Sequence, residues 1–307
     1  MKKVILGYGI QWMLLRQRFP GQIDEDAVAN SHEILDAVQR GAVAFLRTPT
    51  DLRRRESDVP WYRRDFFWEG AAFGQAADHA FSRRRGNPDA KRSGDDYRAI
   101  HYTGYGLWAG IARVFHLPTI SLHREYWTGV SDFDQYGPAL AGGMAFGVTC
   151  GDLQFNERTI GRLNLPDYPG WIEGAAHGCG RALWFLFMHN SERLEAVVAA
   201  HPQHREELLE GLGIAVGFAQ LRDGGGIWNS IQAFAPPQRE SIARGVATAI
   251  AEVQDRAAVD RYLFPQLPPC IRDAVVTFRQ ISETLAQSPD QPYMSYFNAA
   301  RRIRVLN

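Results

Sequence analysis

Two glutamates in matching surroundings are the first residues of this chain suited to chemistry. Glu69 lies in Phe67-Trp68-Glu69-Gly70-Ala71-Ala72-Phe73-Gly74, and Glu173 in Trp171-Ile172-Glu173-Gly174-Ala175-Ala176-His177-Gly178. Brought to one cavity, two carboxylates divide into proton donor and proton acceptor once their environments separate their pKa values. At helix ends the same pair is ordinary solvated charge. His177 and Arg181 follow Glu173 at four-residue steps, which on a helix places all three on one face. The spacing predicts a shielded, hydrogen-bonded row in which arginine balances the carboxylate and the imidazole exchanges a proton near neutral pH. Gly174 and Gly178 flank the row and are expected to open room beside it.

His101 is a further acid–base candidate. It has no metal-ligand spacing with His116, no H-E-x-x-H run is present, and neither a metal nor an organic cofactor is expected. Trp68, Tyr105 and Trp108 belong to an aromatic-rich first half that packs a core or lines an apolar cavity suited to a conjugated or isoprenoid-like molecule. The chain lacks G-x-x-x-x-G-K-[ST] and G-x-S-x-G, and Gly104-Tyr105-Gly106 sits in an apolar helical stretch, against a dinucleotide fingerprint.

The elements that must hold these groups repeat. The Glu69 and Glu173 segments set a register about a hundred residues apart. In that register Gly104–Gly110 meets Gly211–Gly217 and Leu140–Ala145 meets Ile242–Ala247, in the same order. Glycine recurs in helix-compatible stretches at positions 41, 70, 104, 143, 174, 211 and 245, roughly every 30–40 residues, the period of a helical hairpin. Glycine inside a helix costs about 1 kcal/mol relative to alanine, so close backbone approach of helices, or of a ligand, is the expected compensation. Helices are expected over 24–45, 65–82, 104–115, 173–188, 192–200, 203–221, 237–258 and 270–285. A mobile loop is expected at 83–96, a breaker-rich seam at 151–170, a stop at Asp223-Gly224-Gly225-Gly226 and a polar tail after 285. The expectation is an all-α fold with a duplicated helical-repeat architecture, solenoid or α/α toroid-like, whose halves are related by a pseudo-twofold axis. It forms a single compact domain over 1–307 with repeats at about 20–152 and about 165–285.

A formal net charge of zero, with short, scattered arginine clusters, argues against a nucleic-acid partner. Three cysteines without C-x-x-C spacing point to a reducing, cytoplasmic setting. The apolar run at 4–15 after Lys2 and Lys3 has no small-x-small cleavage site and is too short to span a bilayer, so it is expected to belong to the mature fold.

Several pieces resemble a known family, the domain of unknown function 1702, found in bacterial natural-product clusters including those for enediyne polyketides. They are Gln39-Arg40-Gly41-Ala42, Phe67–Ala72, Gly104–Trp108 with Ala112-Arg113, Gly178-Cys179-Gly180-Arg181-Ala182-Leu183-Trp184-Phe185, Ser191–Leu194, Glu210–Ala215 and Ala243–Ala247, in order over about 35–260. Ala176 and His177 stand where the family tends to have an acid and an amide, and over 132–147 the fit rests on Asp134, Tyr136 and Gly137. The resemblance implies a bacterial cytoplasmic protein acting on or around a polyketide-like intermediate, and adds Asp134, Tyr136 and Trp184 to the candidate substrate contacts. One expectation is cofactor-free acid–base cyclisation or rearrangement of a long apolar polyene. The alternatives are a non-catalytic helical protein that sequesters or hands over such a molecule, and a structural partner of the synthase. Assembly as a homodimer or within a biosynthetic complex stays open.

Overall fold

The computed structural model describes residues 25–82, 97–127, 133–151, 159–187, 190–286 and 293–306. The run at 4–15 and the loop at 83–96 lie outside the described residues. Every described regular element is helical. The α-helices are α1 (Glu25–Arg47), α2 (Leu52–Glu56), α3 (Arg64–Ser82), α4 (Arg98–Val114), α5 (Phe133–Gly151), α6 (Trp171–Leu186) and α7 (Ser191–Ala199). They continue with α8 (Arg205–Ala219), α9 (Gly224–Gln232), α10 (Pro236–Glu252), α11 (Arg256–Ala258), α12 (Pro269–Ala286) and α13 (Tyr293–Ala300). None of them is long and apolar enough to cross a membrane.

The long helices pack in succession: α1 on α3, then α4, α5, α6, α8, α10 and α12, each against its neighbours in this order. Helix α1 also touches α8. Arg63, 2 % exposed, fastens that contact by donating to the carbonyls of Ala219 (3.0 Å) and Phe218 (3.4 Å) and pairing with Glu33 (3.3 Å). Glu33 in turn takes Arg222 at 3.0 Å. A large apolar core fills the spaces between helices, and a smaller cluster of Leu52, Val59, Phe67, Trp68 and Tyr97 seals α2 against α3.

The glycines explain how these helices pack. At the α4–α5 contact a Cβ on Gly106 would meet the Leu140 carbonyl and one on Gly143 the Thr103 carbonyl; at α8–α10, Gly213 faces Ile242 and Gly245 faces Glu210. In both cases each glycine meets the carbonyl three residues before its partner glycine, and the same reciprocal contact joins Gly41 with Gly70 and Gly180 with Gly211. Backbone touches backbone with no side chain between, which offsets the helix penalty of glycine through close packing. The expectation that Gly174 and Gly178 open room beside α6 is corrected: the Pro138 and Gly142 backbone of α5 fills both places.

Local chemistry sets the helix ends. Asn190 caps α7, its side chain accepting from the Arg193 N–H at 3.0 Å. Asp223 does the same for α9, accepting from the Gly226 N–H at 2.8 Å. The Asp-Gly-Gly-Gly run therefore ends one helix and starts another rather than acting as a stop alone. The tail expected to be polar holds α13, which packs on α5 and α12 through the buried Met294, Tyr296, Phe297 and Ala300.

Candidate functional site

Helices α1, α3, α4, α5, α6 and α8 surround a cavity of about 110 Å³. A water needs roughly 10–15 Å³ of such space, so the cavity takes a cluster of waters or an organic group. Its wall is aliphatic and phenylalanine: Ile34, Leu35, Val38, Ile100, Leu107 and Ile111, with Phe66, Phe73, Phe146, Phe185 and Phe218. Asp65, Glu69 and Arg181 enter this apolar surface together with Thr103, Ser31 and Cys150. A second cavity of about 70 Å³ adjoins the first, sharing Ile100, Thr103, Arg181 and Phe218, and adds His177, Thr248, Glu252 and Phe297.

The apolar surroundings set the charge of these groups. Burial, reinforced by the neighbouring carboxylates of Glu252, Glu56 and Glu69, pushes the Asp65 carboxyl up to about 8, and its Oδ2 has no hydrogen-bond partner. Burial raises Glu252 to about 7, against the pull of Arg256. It raises Glu69 as well, although Arg181 draws it back. Cys150 is raised by burial and by nearby Cys179, which keeps it a thiol rather than a nucleophilic thiolate. Near neutral pH the cavity therefore holds carboxyl groups able to give and take protons beside one fixed guanidinium.

His177 is oriented from across the helix contact. Its Nε2 lies 3.0 Å from Glu210 Oε2 on α8, and Phe297 of α13 packs on the ring at 4.5 Å between centroids. Glu210 also accepts from Arg244 Nε at 3.2 Å and Arg301 Nη2 at 2.8 Å, while Arg244 pairs in addition with Glu206 and Arg301 with Glu207. Burial alone would raise Glu210, but the hydrogen bonds from His177 and Arg301 outweigh it and hold the carboxyl at about 2. The hydrogen-bonded row expected along α6 is thus corrected. His177 takes its partner from α8, and Glu173 is half-buried and lines neither cavity.

The structure brings Glu69, His177 and Arg181 to the cavities and places the other candidates elsewhere. His101 is buried with neither ring nitrogen hydrogen-bonded, and burial, with nearby His79, lowers it to about 3, so it is a neutral core ring tilted against Tyr105 at 5.3 Å. Trp68 stacks on Tyr97, Trp108 packs against Phe73, and Trp184 is equally buried, all outside the cavity walls. The Tyr105 hydroxyl meets His79 Nδ1 at 3.2 Å and Tyr136 stacks on Tyr102, while Asp134 is exposed and pairs with Arg124. Neither cavity lining includes a tryptophan, and the larger wall is left to aliphatic residues and phenylalanine.

Sequence reasoning passed over Asp65, Glu210, Arg244 and Glu252. A signal was available: Glu69, Thr103, His177, Glu210 and Arg244 each directly precede one of the close-packed glycines Gly70, Gly104, Gly178, Gly211 and Gly245. Asp65 lies one helical turn before Glu69 on the same face.

Asp65 gives a pH prediction. Its folded pKa of about 8 exceeds the ordinary 3.8, so the folded chain keeps a proton that the unfolded chain has released. Stability therefore falls as pH rises from 3.8 towards 8. Asp65→Asn is expected to melt with wild type at pH 4 and several degrees above it at pH 8; equal melting at both values would exclude a buried proton at this site.

These features define the class, an all-α protein with an internal apolar cavity carrying a small set of buried ionisable groups. Residues 162–261 match the model of the family described as a protein of unknown function (DUF1702), so over that stretch the chain is similar to this family. The matched stretch carries His177, Arg181, Glu210, Arg244 and Glu252, whereas Asp65 and Glu69 precede it. No curated protein and no solved structure matches the chain.

Proposed function

We propose that this protein binds an elongated, unsaturated apolar molecule in its internal cavity and rearranges or cyclises it by proton transfer. The observation that carries this reading is the entry of Asp65, Glu69 and Arg181 into a wall otherwise made of isoleucine, leucine and phenylalanine. A neutral carboxylic acid adds its proton to one alkene carbon, leaving a carbocation on the neighbouring carbon. Another double bond attacks that carbon, and a carboxylate removes a proton from the cyclised cation. The net change is an isomerisation without an oxidant or cofactor. The five phenylalanine rings supply cation–π stabilisation for the intermediate, about 2 kcal/mol for a well-placed desolvated contact. A bacterial natural-product setting, with a polyene or polyketide-like substrate of the kind handled in enediyne clusters, is consistent with this chemistry. A second reading, a protein that sequesters such a molecule without converting it, is favoured by the extent of the apolar lining. A purely structural partner has less support, because the exposed large apolar residues among the described ones, Phe115, Ile172, Tyr262 and Val276, are few and far apart in sequence.

We further propose that the two halves are a duplication. Support comes from the α4–α5 and α8–α10 contacts, which use the same glycine register. In that register Gly104 faces the Glu69 carbonyl where Gly211 faces the His177 carbonyl, so the counterpart of Glu69 is His177, one turn beyond Glu173. An experimental structure in which α3–α4–α5 failed to superpose on α6–α8–α10 would remove this proposal.

Titration with cis-parinaric acid, a fluorescent conjugated tetraene, tests the binding reading. Saturable enhancement is expected in wild type and its loss in Ala215→Trp, which fills the cavity from α8; no binding, or binding indifferent to Ala215→Trp, would overturn it. Catalysis is read as loss of the polyene absorbance at unchanged mass, abolished by Glu69→Gln. Binding without spectral change would select the sequestering reading.

A further inference from the structure

Arg181, half-buried with its Nε fully enclosed, differs from the other arginines of the interior. Arg63 pairs with Glu33 and two carbonyls, Arg244 with Glu206 and Glu210, and Arg301 with Glu207 and Glu210. Arg181, by contrast, has no carboxylate within 4 Å among the described residues, and its buried Nε has no hydrogen-bond partner. The guanidinium is held in place all the same. It lies 5.9 Å from the Phe146 ring, and Nη2 sits 3.2 Å from where a Cβ would stand on Gly142, so alanine there would press on it. Arg181 is also where the two cavities meet, since both are lined by it and by Thr103.

A permanent positive charge in an apolar wall is costly unless an anion comes to it. The nearest candidates within the protein serve poorly. Glu69 feels Arg181 only through space and burial pushes its carboxyl up, while Asp65, pushed up to about 8, is near neutral pH a hydrogen-bond donor to an anion rather than a rival to it. The planar fork of a guanidinium matches a carboxylate with two parallel hydrogen bonds. We propose that the ligand is an apolar chain ending in a carboxylate, with the carboxylate bound by Arg181 at the junction of the two cavities and the chain lying along the isoleucine and phenylalanine wall of the larger one. The proposal rests on the binding reading above and adds the head group. Its mechanistic consequence is register: anchoring one end fixes which double bond lies beside Asp65 and Glu69.

The test compares cis-parinaric acid with its methyl ester, which has the same chain and no charge. Wild type at pH 7 is expected to bind the acid roughly tenfold or more tightly than the ester, the advantage of a charge-assisted hydrogen-bonded pair. Arg181→Met is expected to bring the two within about twofold of each other by weakening the acid alone, and Arg181→Gln serves the same comparison if the methionine variant fails to fold. Equal binding of acid and ester by wild type would overturn the head-group assignment while leaving the cavity reading intact. A preference for the acid that survives both substitutions would also overturn it, by placing the anion elsewhere. Binding of neither probe would overturn both readings.

Discussion

Replacing Glu210 by leucine is expected to destabilise the protein by about 3–5 kcal/mol, the usual consequence of removing one partner from a buried ion cluster. The side chain is 4 % exposed and serves His177, Arg244 and Arg301 together, so the substitution leaves two guanidinium groups and an imidazole without their shared anion. Glu206 and Glu207 keep part of the hold on the arginines, which places the expected loss nearer the lower figure. Denaturant titration at pH 7 measures it. The pH dependence is distinctive because Glu210 is held at about 2 against an ordinary 4.5. Its contribution is fully present above pH 4.5 and is lost as pH falls towards 2, so wild type and Glu210→Leu should converge in acid. A constant gap from pH 7 to pH 2.5 would show that the carboxylate is not the source of the stability.

Gly213→Ala is the second large effect. A Cβ there would stand 2.9 Å from the Ile242 carbonyl carbon and 3.0 Å from the Gly245 Cα, and closer still to the carbonyl oxygen. All are backbone atoms, so no side chain can turn aside; α8 and α10 must separate along their contact. Overpacking ordinarily costs about 1–3 kcal/mol, and a clash with rigid backbone belongs at the upper end or beyond, despite the better helix propensity of alanine. Gly161→Ala is the control, since nothing lies within 4 Å of a Cβ there. Melting temperatures should fall by several degrees for the first and stay level for the second; equal shifts would mean that the α8–α10 contact yields.

The parts of the fold legible in the sequence were those governed by local rules. Interior glycines carry a known penalty, so their recurrence points to close helix contacts, and the helix expected over 192–200 forms as α7. The Asp223 cap was obscured by the three glycines that follow it, because glycine reads as a breaker unless the side-chain hydrogen bond to Gly226 is anticipated. Spacing of four residues placed Glu173, His177 and Arg181 on one face, but which neighbour His177 would choose depended on the α6–α8 contact, and Glu210 lies 33 residues away. The same limit applies to Arg301, 91 residues from the carboxylate it holds. Composition shows that the first half is rich in aromatics without showing which rings face the cavity, and the buried Trp68 and Trp108 lie outside its wall.

The glycine contacts also separate two properties that are usually tied together. In most helical proteins the spacing between helices is set by the side chains wedged between them, so altering an interior residue alters the frame. Here, at the reciprocal glycine pairs, the frame is set by backbone resting on backbone. No isoleucine or phenylalanine side chain of the cavity wall is among the atoms that meet at those joints. Such a scaffold can exchange one lining for another and accept a differently shaped molecule while its architecture stays in place, which makes the inner wall the natural region for redesigning selectivity.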